Sequence, residues 1–75
     1  MSKLPVLSGQ ELCKILNKMG YETDRQTGSH MILRKNTLPH RRLTVPNHKE
    51  IAKGTLRKII RDSGLTLDEF LELIH

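Results

Sequence analysis

The chain has 75 residues and carries 13 Lys and Arg against 8 Asp and Glu, a formal net charge of +5. A chain of this size buries only about 60% of the surface its unfolded form exposes, which leaves room for a shallow site or binding face and excludes a deep substrate cavity. Its one cysteine, Cys13, excludes an internal disulfide and a Cys–Cys metal pair, as suits a reducing cytosol.

No apolar run approaches the roughly 20 residues that span a membrane, and the N-terminus lacks a signal-peptide pattern. A soluble, cytoplasmic protein of one domain is expected, without internal repeats. The charge is unevenly placed. Ten of the thirteen cations lie between Arg25 and Arg61, a window with one acid, Glu50. A basic middle flanked by neutral or acidic ends points to a face that binds a polyanion.

Residues 1–7 read as a short leader in which Pro5 discourages helix. Ser8, with Glu11 three residues on, forms a capping box, and Leu7 with Leu12 the accompanying hydrophobic staple. Leu12, Ile15, Leu16 and Met19 follow the spacing of one buried helix face, and Gly20 is the expected stop. A solvated strand is predicted over 21–26, then a turn at Thr27-Gly28 and a second strand over His30–Lys35. Asn36-Thr37-Leu38-Pro39 breaks that strand, and a third follows over 41–45. Short connections favour an antiparallel meander. The middle strand has apolar residues on both faces, so alternation does not say which face packs on the helices.

A loop from Pro46 to about Ala52 leads to a helix over 53–63, with Leu56, Ile59 and Ile60 as its core stripe. Lys53, Arg57 and Arg61 repeat along one side of it, a spacing that suits a phosphate backbone. The last helix spans 66–74, with Thr66 and Glu69 as a second capping box, Leu65 and Phe70 as its staple, and Phe70, Leu71 and Ile74 facing inward. The fold class is α+β, order α-β-β-β-α-α, with helices on one face of a small three-stranded antiparallel sheet.

Gly28-Ser29-His30 opens the middle strand. Histidine, with an unperturbed pKa of about 6.5, can take and give a proton near neutral pH. His48 lies in the loop after the third strand, near the start of the following helix. A helix N-terminus favours an anion such as a phosphate. Lys53, Gly54 and Thr55 are placed to hold one there, by charge, close backbone approach and hydroxyl. The chemistry that fits is RNA cleavage by transesterification, with a histidine general base and neighbouring cations stabilising the phosphorane.

Gly28-Ser29-His30, Val45-Pro46-Asn47-His48 and the run from Lys53-Gly54-Thr55 to Leu65 together resemble the HicA toxins of HicA–HicB toxin–antitoxin pairs. The resemblance covers almost the whole chain in order and spacing. It implies a fold like the double-stranded RNA-binding domain and an mRNA interferase that needs no metal or other cofactor. It also implies a HicB antitoxin partner that covers the site, and it places the catalytic histidine at His30. One departure is the turn at residues 36–39, which has no glycine where relatives often carry one.

The RNA-binding band is expected to include Ser29, Arg34, Lys35, Arg41 and Arg42, then His48, Lys53, Thr55, Arg57 and Arg61. His48 fits a phosphate contact or an assisting acid, and equally a loop histidine that caps backbone groups. His40 adds to the band's charge, and His75 is expected to be frayed. A zinc site from His30, His40 and His48 lacks a carboxylate or cysteine at ligand spacing. Two other classes fit the residues: a non-catalytic RNA-binding module, and an interaction protein whose basic face meets an acidic partner.

Overall fold

The structure, a computed structural model, describes residues 4–74, so the start of the leader and His75 lie outside the described residues. Its elements are α1 (Gly9–Asn17), β1 (Tyr21–Thr27), β2 (His30–Lys35), β3 (Arg42–Pro46), α2 (Lys53–Asp62) and α3 (Leu67–Ile74). The order is the one expected. The strands form an antiparallel sheet in the order β1-β2-β3, and the fold is α+β.

Two of the three helices begin with reciprocal caps. Ser8 Oγ accepts from the Glu11 N–H at 3.1 Å, and the Glu11 carboxylate accepts from the Ser8 N–H at 2.9 Å. Those bonds hold the Glu11 carboxyl below its ordinary 4.5. Thr66 and Glu69 repeat the arrangement ahead of α3 at 3.1 and 2.8 Å. Each box satisfies two donors that a helix start would otherwise leave unpaired. α2 has no such cap: Ala52 stands at its N-cap, no side chain bonds there, and its first turn has no acid.

The core decides which sheet face is inner. Met31 and Leu33 of β2 and Leu43 and Val45 of β3 are buried, while His30, Arg34, Arg42 and Thr44 are exposed. Leu12, Ile15 and Leu16 of α1 and Leu56, Ile59 and Ile60 of α2 share the core with the buried sheet residues. Tyr21 and Phe70, both fully buried, are its largest fully buried members. Cys13 Sγ lies 3.8 Å from Met31 Sδ within it, and burial pushes the Cys13 thiol up.

Some boundaries differ from those read in sequence. Thr27 pairs with His30, so the turn is Gly28-Ser29 and β1 runs one residue further than expected. In α3 Phe70 is buried and Ile74 packs on the core, but Leu73 joins them rather than Leu71. At 100° per residue Leu71 points away from the arc that Phe70, Leu73 and Ile74 share. Lys18 Nζ donates to the Leu73 carbonyl at 2.7 Å and ties the end of α1 to the last turn of α3, where unpaired carbonyls favour a cation.

Candidate active site

His30 is placed by backbone geometry on both sides. The two-residue turn before it has Gly28 at φ +52°, a conformation that side-chain-bearing residues rarely adopt. That tight reversal sets Thr27 opposite His30. On the other side His30 faces Pro46 of β3. Beyond the strand ends, the Asn47 N–H donates to the Ser29 carbonyl at 2.6 Å, so the ladder continues into the loop that carries His48. The loop is fastened again from below, by Gly9 N–H to the His48 carbonyl and Ile51 N–H to the Leu7 carbonyl, both 2.9 Å.

Gly9 makes that second fastening possible. A Cβ there would run into the Pro46 carbonyl oxygen and crowd Asn47 Cα and Met31 Cε at 3.0 Å. The start of α1 therefore sits directly against the backbone between the two histidines. No pattern in the sequence marks this glycine as a site residue; its role depends on a contact 37 positions away, with Pro46.

His30 and His48 line one cleft of about 540 Å³ between β3 and α2. Arg42 and Thr44 of β3 line it from the sheet side, and Thr55, Lys58 and Asp62 from α2. Ala52, at the uncapped start of α2, is also on its wall. The cleft thus combines two imidazoles, two cations, one carboxylate, hydroxyls and a helix start with unpaired N–H groups. Such a lining can bind a phosphate and move a proton beside it.

The structure divides the expected RNA-binding band among several surfaces. His30, His48, Arg42 and Thr55 meet in the cleft, and Ser29 is exposed in the turn beside it. Arg34 shares the outer face of β2 with His30 but lies in a hollow with Glu22 and Asp24. Lys35 stands 5.0 Å over the Tyr21 ring, and with Arg41 it lines a third hollow of about 230 Å³. Arg57 and Arg61 line a fourth, between α2 and the start of α3. Lys53 is exposed and outside the cleft lining.

The cation stripe on α2 is therefore on the flank away from the histidines. Lys58, absent from the expected band, is the α2 cation that reaches the cleft. The spacing of Thr55, Lys58 and Asp62, three and then four residues apart, puts them on one side of a helix. That spacing is visible in the sequence, whereas the side facing the cleft is not. His40 bonds through Nδ1 to the Lys35 carbonyl at 2.9 Å, at the opposite end of β2 from His30, so it does not converge with His30 and His48.

A family model described as the HicA toxin of bacterial toxin–antitoxin matches residues 9–65, from the first residue of α1 through the end of α2. The chain belongs to the HicA toxin family. The match spans Gly9, the Gly28-Ser29-His30 turn, the His48 loop and all of α2, and so includes every residue of the cleft. Membership gives the chain a toxin role with an antitoxin as counterpart. No curated protein matches the chain. Among the described residues, no helix is long and apolar enough to cross a membrane.

Proposed function

We propose that this toxin is an mRNA interferase, a metal-independent endoribonuclease of the cytoplasm made of one domain and silenced by a HicB-like antitoxin. The observation that carries the reading is the meeting of His30, His48 and Lys58 in one cleft at the uncapped start of α2. The scissile phosphate lies against the N–H groups of that helix start, with Thr55 and Lys58 beside it. His30 removes the proton from the 2′-hydroxyl, and the oxygen attacks the adjacent phosphorus. Lys58 and Arg42 stabilise the added negative charge of the phosphorane. The bond to the 5′-oxygen breaks, and that oxygen takes a proton from His48 or water. The products are a 2′,3′-cyclic phosphate and a 5′-hydroxyl end.

The test is to incubate the antitoxin-free protein with single-stranded RNA and chelator and to identify the new ends. Cyclic phosphate ends are expected, and a single 2′-deoxy substitution at the cut site should block that cut. A cut that persists across the 2′-deoxy position would end the transesterification reading.

RNA binding without cleavage is the second reading, and one observation favours it. Among the described residues the His30 ring makes no hydrogen bond, whereas a catalytic imidazole is commonly oriented by a partner on its second nitrogen. On this reading RNA is retained and no new ends form.

A further inference from the structure

The edge of β3 borders the same cleft, and its backbone groups can be assigned one by one. Lys35 N–H donates to the Arg41 carbonyl at 2.8 Å at one end of the β2–β3 ladder, and Asn47 N–H to the Ser29 carbonyl at the other. In an antiparallel pair, bonded and non-bonded positions alternate. Leu33–Leu43 and Met31–Val45 are then bonded pairs, while Arg34–Arg42 and Ile32–Thr44 are not. The N–H and C=O of Arg42 and Thr44 therefore point away from β2, toward the cleft. Among the described residues, no backbone bond outside the regular elements reaches either of them. Pro46 ends this open edge, because it has no N–H and its carbonyl is turned against Gly9.

Every open sheet has edges, and the two here differ. β1 is bent by a bulge between Thr23 and Arg25 and carries Glu22 and Asp24. Bulges and charges are the usual means of keeping an edge unpaired, and these acids repel an acidic segment. β3 has no bulge in its register, and α2 presents Thr55 and Lys58 across a gap beside it. An added strand would lie about 4.8 Å from its neighbour, and the cleft of about 540 Å³ runs along this edge, lined by Arg42, Thr44 and Pro46. Its side chains would meet His30 and Arg42 on one face and Lys58 on the other.

We propose that the antitoxin silences this chain by adding an extended acidic segment to β3 as a fourth strand of the sheet. Backbone bonds to Arg42 and Thr44 supply affinity and register, and the cations of the cleft select acidic side chains. The segment fills the cleft and excludes RNA from His30 by occupying the same space. The inference rests on the cleft being the toxin's working site, which RNA cleavage by the free protein tests separately.

Amide hydrogen exchange in the complex with its antitoxin tests the added strand. The Arg42 and Thr44 amides should exchange rapidly in the free protein and slow by about tenfold or more when bound. In addition, Thr44→Pro removes one outward N–H, a change that edge strands tolerate. It should weaken antitoxin binding by roughly tenfold, the worth of about one hydrogen bond. Thr44→Val, which keeps the N–H, should bind as the parent does, and melting curves establish that both variants are folded. A tight complex in which the Arg42 and Thr44 amides exchange as freely as before would overturn the proposal. Slowing produced by single-stranded RNA but not by the antitoxin would overturn it too, and would give the edge to the substrate.

Discussion

Tyr21 is fully buried, yet its hydroxyl has no hydrogen-bond partner among the described residues. Burying a hydroxyl without a partner costs about 1–3 kcal/mol on mutational scales. Tyr21→Phe should therefore leave the melting temperature unchanged or raise it. Burial also holds the phenol above its ordinary 10.0, with Arg41 pulling the other way. The unfolded chain ionises first as pH rises, so this contribution is complete below pH 10.0 and lost above it. Melts at alkaline pH should show a larger loss in the parent than in Tyr21→Phe, which keeps only the loss due to the buried Cys13 thiol. Gly9 runs against ordinary helix preference. Alanine is usually better than glycine in a helix by about 1 kcal/mol, but here its methyl group would meet the Pro46 carbonyl. Gly9→Ala should destabilise by about 1–3 kcal/mol and lower activity further by displacing the loop that carries His48. A stability gain would contradict the contact.

α2 joins structure to function along its two flanks. One flank brings Thr55, Lys58 and Asp62 to the cleft, while Arg57 and Arg61 line the hollow beside α3. Lys58→Gln should therefore reduce RNA cleavage more than Lys53→Gln does, and both should leave the melting temperature nearly unchanged, as both residues are exposed. Changing Lys53, Arg57 and Arg61 together to Gln should weaken RNA binding and flatten its salt dependence if RNA wraps past the cleft onto the second flank. An unchanged salt slope would confine RNA to the histidine side. The caps were legible in the sequence because a capping box is local: Ser8 with Glu11, and Thr66 with Glu69, need only a three-residue spacing. The flank of α2 that faces β3 was not legible, because charge spacing defines a stripe without saying what lies opposite. Lys58 was missed for that reason.

Across the whole molecule, element order, strand pairing and the core stripes of α1 and α2 followed from periodicity and turn residues, whereas α3 packs Leu73 on the core in place of Leu71. The inner sheet face did not follow from periodicity, since Met31 and Ile32 offer comparable apolar surface on opposite sides of β2. Packing decided it, burying Met31 and leaving Ile32 half-exposed. The same choice turned His30 outward to solvent. It also means that fold and chemistry can be separated by mutation, because His30 is exposed and contributes nothing to the core cluster. A core change such as Leu33→Ala should cost about 2–5 kcal/mol and lose activity only through unfolding. The most direct measurement pairs cleavage of a test RNA in chelator with a thermal melt and an RNA-binding titration, all on His30→Ala. The account predicts an unchanged melt, nearly unchanged binding and a cleavage rate lower by at least about 10²-fold. A well-folded His30→Ala protein that cuts RNA at the parent rate would contradict it and remove His30 from the reaction.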